Sequence, residues 1–140
     1  MSLIILKFLH YLAIFFSGGA LVGGGLINSI FTKAKQVPDI TIGKILKFLG
    51  YIGLVSLIVL WLTGILLSNI IYGGFAINNA FNIKIFAAAL LLILSFIVNI
   101  HVYNSSKKKI VPNKSIIKFA TMFGRGLIII VLLGAAIAFN

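Results

Sequence analysis

The sequence predicts an all-α, polytopic membrane protein: a bundle of four transmembrane helices with both termini outside. The chain has 140 residues, of which 61% are hydrophobic and only 9% are charged, and its mean hydropathy is +1.23. A soluble domain typically contains about 45–50% apolar and about 25% charged residues. This composition therefore excludes a soluble enzyme, a disordered tail and a nucleic-acid-binding domain.

Four apolar blocks account for most of the chain, which we interpret as a single transmembrane domain over residues 1–140. A spanning helix needs about 20 apolar residues to cross about 30 Å of hydrocarbon. The blocks are continuously apolar and lack the alternation of an outer-membrane barrel strand. The predicted spans cover about residues 3–31, 45–72, 83–103 and 116–139.

The first block is longer than the apolar core of a signal peptide, and no small-residue cleavage site closes it, so we interpret it as a retained span. Its polar and small residues form one stripe at helical spacing, which must face the bundle interior. The stripe consists of His10, Ser17, Gly24 and Asn28. Two roles remain open for the histidine: a hydrogen bond to a neighbouring helix, or service as a ligand.

The second and third spans carry matching polar positions. In the third span a second stripe on one face consists of Lys84, Ala88, Ser95 and Asn99. Ser56 and Thr63 share a face of the second span, at a spacing that suits hydrogen bonds between helices. Lys84 opens the third span within a turn or two of the depth of His10, so the two side chains could converge across the bundle. Its position alone favours the competing interpretation, snorkelling of this lysine to the interface. His101 lies at the opposite end of the third span and is interpreted as an interfacial residue.

Arg125 is the most unusual residue, because it sits between Gly124 and Gly126 near the middle of the fourth span. A central arginine costs about 2.5–3.5 kcal/mol on the insertion scale and marks a functional candidate. The sequence offers no acidic residue within any span. Three partners remain open: backbone carbonyls and asparagine side chains, a bound anion such as a propionate or a lipid phosphate, or an acidic group on a partner subunit.

The charge distribution predicts the orientation. Twelve residues are Lys or Arg and one is acidic, giving a net charge of +11. Nine lysines fall in the first and third loops or the adjoining helix ends, whereas only Lys7 and Lys84 fall on the other side. Basic residues are retained on the cytoplasmic side, which places these loops in the cytoplasm, facing anionic lipid. The nine are Lys33, Lys35, Lys44, Lys47, Lys107, Lys108, Lys109, Lys114 and Lys118.

Several kinds of chemistry are excluded by what the chain lacks. It has no cysteine, which removes disulfides and thiolate sites. Its only acidic residue, Asp39, lies in a loop, which removes paired-carboxylate catalysis and carboxylate-rich metal cages.

Three short segments resemble a known group of membrane proteins. They are Lys7-Phe8-Leu9-His10, Leu62-Thr63-Gly64-Ile65-Leu66-Leu67 and Asn82-Ile83-Lys84-Ile85. The chain is similar in these positions to small bacterial four- or five-helix proteins, which include HemJ-type protoporphyrinogen oxidases and the CopD-type membrane domain. The resemblance places the chain in a bacterial inner membrane.

The resemblance implies that His10 ligates the iron of a b-type haem and that Lys84 belongs to the same site. Arg125 is then expected to pair with a propionate or a substrate carboxylate. The implied function is electron transfer or porphyrinogen oxidation, with a haem-dependent oxidoreductase as the corresponding enzyme class.

Two other functions remain open from the residues alone. The glycine-rich first span and the unpaired Arg125 also suit a non-catalytic subunit or assembly module of a larger membrane complex, or a homo-oligomer. A small transporter or channel ranks third, because no charged ring, repeat or broken-helix pair indicates a pore.

Overall fold

A computed structural model of the chain, which describes residues 2–74, 78–108 and 110–138, confirms the four-helix bundle. No strand occurs among these residues. All four helices are long and apolar enough to cross a membrane, so the protein is a multi-pass membrane protein. The helices are α1 (Leu3–Lys33), α2 (Ile40–Tyr72), α3 (Asn79–Lys107) and α4 (Lys114–Ala138).

Polar caps make the central helices longer than the predicted apolar spans. Asp39 caps α2 by accepting a hydrogen bond from the Ile42 amide at 2.7 Å. Asn78 caps α3 in the same way. Such side chains satisfy amide groups that the first turn leaves unpaired. Hydropathy locates the apolar part of a helix and misses the polar turn that precedes it.

The helices pack in chain order around the bundle. The α1–α2 and α3–α4 hairpins are closely packed, α2 contacts α3 less extensively, and α1 contacts α4 least, whereas no Cα atoms of the diagonal pairs come within 8 Å of each other in the described part of the chain. Successive helices are antiparallel. We call the end that carries His10 and Lys84 the histidine half, and the end at which α1 is followed by α2 and α3 is followed by α4 the lysine-rich half.

The buried core is small and the outer surface is apolar. Leu57, Ala87, Leu91 and Leu127 form a central cluster contributed by α2, α3 and α4. Large apolar side chains elsewhere, such as Phe15 at 71% exposure, point away from the bundle. An exposed apolar belt of this extent is expected where lipid replaces water around the helices.

Candidate functional site

The histidine half contains a hydrogen-bonded pair between α1 and α2. Nδ1 of His10 lies 2.8 Å from Oγ1 of Thr63. Thr63 is almost completely buried, whereas His10 is half-buried. The hydrogen bond to a neighbouring helix, one of the two roles left open for His10, is therefore present.

The surroundings of Thr63 determine which nitrogen of His10 carries the proton. Oγ1 of Thr63 also lies 2.7 Å from the carbonyl oxygen of Val59, one turn earlier in α2. Two oxygens at that distance need a proton between them, and the hydroxyl has only one to donate. Thr63 therefore donates to Val59 and accepts from Nδ1–H of His10. The lone pair of the neutral imidazole is then on Nε2.

Lys84 approaches this pair from α3. Its ammonium interacts electrostatically with His10, so the two residues belong to the same half of the bundle. The nitrogen also lies 5.4 Å from the centre of the Phe81 ring. Gly134 of α4 packs against the Lys84 backbone and Cβ: an added Cβ on this glycine would lie 3.0 Å from Cβ of Lys84.

Two further contacts hold the helices around the pair. Nε1 of Trp61 donates to the carbonyl oxygen of Ala88 at 3.3 Å, which joins α2 to α3 one turn from Lys84. Gly64 lies against the His10 ring, since an added Cβ would be 3.5 Å from Cε1. Both His10 and Lys84 remain partly exposed beside these contacts.

His101 has a different environment at the other end of α3. Its Nε2 accepts a hydrogen bond from the backbone amide of Asn113 at 3.0 Å. This contact attaches the connection before α4 to α3 and occupies the lone pair that a ligand would need. Nε2 of His101 is therefore already hydrogen-bonded, unlike Nε2 of His10, which has no hydrogen bond to the described residues.

The lysine-rich half contains a cavity of about 960 Å³ between all four helices. It extends along α1 from Ser17 to Lys33, about 24 Å at a rise of about 1.5 Å per residue. Its deeper part is lined largely by apolar residues, including Leu21, Leu57 and Leu91. Neither His10 nor Lys84 lines it.

Arg125 reaches into the middle of this cavity. Its guanidinium lies against Gly25 of α1, where any added Cβ would collide with it. The side chain lines the cavity and remains accessible. Within the described ranges, the guanidinium makes no hydrogen bond or ion pair.

The structure separates Arg125 from the other two predicted site residues. Gly25, which marks the depth of the guanidinium, lies fifteen residues after His10 on the same helix. That separation is about 22 Å, or four helical turns. His10 and Lys84 thus share one region, and Arg125 belongs to another.

Polar side chains from two predicted stripes also line the cavity. Asn28, one turn from Gly25, has no side-chain hydrogen bond with the described residues. Asn99 donates to the Ser95 carbonyl oxygen at 2.9 Å and lies against Gly50 of α2. The prediction that these stripes face the bundle interior therefore agrees with the cavity, although sequence reasoning did not predict the cavity itself.

The described residues contain no cluster of three or more His, Cys, Asp or Glu side chains that could hold a metal ion by themselves. Comparisons of the chain with protein-family models, with curated proteins and with solved structures find no match.

Proposed function

We propose that this membrane protein holds a b-type haem through His10 and takes part in electron transfer. The observation that carries the proposal is the His10–Thr63 pair, because it leaves the lone pair of a neutral imidazole on Nε2. When bound, a haem supplies a one-electron redox couple whose potential depends on its axial ligands and surroundings.

The donor chemistry at His10 fits this group. An axial histidine binds iron through one neutral ring nitrogen while its other N–H is held by a neighbouring acceptor. Thr63 supplies that acceptor, and its own proton is fixed by Val59. The ring orientation is therefore set before any ligand arrives.

Lys84 is the second residue of the proposed site. It comes from α3, so it approaches the histidine from a different helix than Thr63 does. Lys84 would either ligate the haem iron as a neutral amine or, as a cation, pair with a propionate. We leave Arg125 out of the proposed site, because about four helical turns separate His10 from Gly25, against which the Arg125 guanidinium lies.

An absorption spectrum tests the proposal. The protein would be purified in mild detergent from cells supplied with haem precursors. We expect a Soret band in the wild-type protein and its loss in His10→Ala. The matched control is His101→Ala, which removes the other histidine and should keep the band.

The outcomes are distinct. A colourless wild-type protein that also fails to bind haem added after purification would overturn the proposal. Equal bands in the wild type and in His10→Ala, with circular dichroism showing intact helices, would assign the haem to another ligand and would contradict it as well.

A further inference from the structure

We propose that the cavity in the lysine-rich half binds an acidic amphiphile, with the acid group on Arg125 and the apolar body in the deeper part. This site is independent of the proposed haem site and lies in the opposite half of the bundle. The ligand class is an amphiphile with a carboxylate or phosphate head, whether a free fatty acid or an anionic phospholipid.

The charge of the cavity selects an anion. Five basic side chains line it, and no acidic side chain does so within the described residues. Asp39 is committed to capping α2. The basic residues are Lys33, Lys47, Lys114, Lys118 and Arg125.

Arg125 provides the strongest point of attachment. A guanidinium stays charged and offers five N–H donors in a planar fork, which binds a carboxylate or phosphate through two parallel hydrogen bonds. None of these donors has a partner among the described residues. Away from water, an arginine with unfilled donors favours an anionic partner strongly.

The surface beside Arg125 leaves room for an acid group. Gly25 has no side chain to cover the guanidinium, and Asn28 lies one turn further toward the lysines with its amide unpaired. An acid oxygen bound to Arg125 can therefore also accept a hydrogen bond from this amide.

The remaining surface suits an apolar body. Beyond Arg125 the cavity continues for about 12 Å along α1 to Ser17, past leucines from three helices. Its volume of about 960 Å³ lies within the range of about 300–1,000 Å³ typical of small-molecule sites. A small inorganic anion would leave most of this apolar surface uncovered.

Paired ligands separate the contribution of the acid group from that of the chain. The purified wild-type protein would be titrated in mild detergent with dodecanoate and with dodecanol, and binding counted by native mass spectrometry. A second arm compares phosphatidylglycerol with phosphatidylcholine. We expect at least roughly tenfold tighter binding of the acidic member of one pair, as a bidentate charged contact would give.

Two variants locate the site. Arg125→Gln should remove the preference for the acid, whereas Lys44→Gln should keep it, because Lys44 is basic and in the same half but does not line the cavity. Gly24→Leu fills the cavity without touching other atoms at Cβ, so it should block binding. Its matched control is Gly23→Leu, which also has free space at Cβ but lies outside the lining.

Each result supports or overturns the inference. Preference for dodecanoate identifies a free acid, and preference confined to phosphatidylglycerol identifies a membrane lipid. Equal binding of acidic and neutral members overturns the inference, as does a preference that survives both Arg125→Gln and Gly24→Leu. An Arg125-dependent oligomer that binds neither acid assigns the position to a partner subunit and also overturns it.

Discussion

The two halves of the bundle differ in whether the polar side chain proposed to bind a ligand, His10 in one and Arg125 in the other, has a hydrogen-bond partner within the described chain. In the histidine half, the imidazole of His10 is held by Thr63, whose own proton is committed to Val59. In the lysine-rich half, Arg125 extends into a large cavity without a hydrogen bond to any described residue. The first region is ordered by hydrogen bonds within the chain, whereas in the second the described residues give the arginine no hydrogen-bond partner.

The largest expected effect tests whether the histidine half is the better packed. Leu6 is 2% exposed, whereas Leu94 lines the cavity. Leu6→Ala should lower the free energy of unfolding by about 2–5 kcal/mol, because it leaves a void among closely packed atoms. Leu94→Ala only enlarges the existing cavity, so it should lower the free energy of unfolding much less. Titration with sodium dodecyl sulfate, followed by fluorescence of the single tryptophan, measures both; equal losses would contradict the comparison.

The next effect tests whether Thr63 orients the histidine. Thr63→Val keeps the shape of the side chain but removes the acceptor for Nδ1–H. If the proposed haem site is correct, affinity for haem should fall by about 10–100-fold, the usual result of losing a group that orients a ligand. Thr63→Ser restores the hydroxyl and should recover most of the affinity. Haem titration followed at the Soret band measures this, and an unchanged affinity in Thr63→Val would exclude the orienting role.

A pair of glycines tests the same contrast at the level of backbone contacts. A Cβ on Gly134 would press against Cβ of Lys84 and the carbonyl oxygen of Ala80, whereas Gly24 faces open space. Gly134→Ala should therefore destabilise the protein by about 1–3 kcal/mol, as overpacking does. Gly24→Ala should be neutral or stabilising by up to about 1 kcal/mol, because alanine favours the helix. The detergent titration serves again, and the reverse order would refute this contrast.

The smallest effect concerns a contact at the rim of the cavity. Nζ of Lys47 lies 3.4 Å from Oγ of Ser106 and 5.6 Å from the centre of the Tyr103 ring. Lys47→Met keeps the apolar stem of the side chain and removes its charge. The free energy of unfolding should therefore change by less than about 1 kcal/mol. A loss above 2 kcal/mol in the same titration would show that the lysine-rich half depends on its own internal pairing.

The sequence predicts the fold well because lipid imposes a strong and local rule. Apolar runs about twenty residues long become helices, and the polar stripes containing Ser17 and Asn99 turn inward. The hydrogen-bonding position of Thr63 follows from the same spacing. The predicted spans begin five residues after the start of α2 and four after the start of α3, and the third stops four residues before the end of α3; the caps Asp39 and Asn78 mark the two starts.

The site could be predicted only in part, because depth and lateral separation depend on packing. Spacing from a helix end predicts that His10 and Lys84 lie at similar depth, and the two interact electrostatically. The position of Arg125 against Gly25 depends instead on the contact between α1 and α4, the least extensive among neighbouring helices. No local pattern in either helix reports how far they stand apart, so the cavity is not visible in the sequence.

The hairpin arrangement sets an order in which the two regions arise during synthesis. His10 and Thr63 both belong to the α1–α2 hairpin, so their hydrogen bond can form as soon as that hairpin has inserted. The cavity has walls from both hairpins, with Gly25 on the first and Arg125 on the second. Until the second hairpin docks, there is no enclosed space beside the arginine. The proposed acidic ligand would bridge the two hairpins and so oppose their separation by mass action.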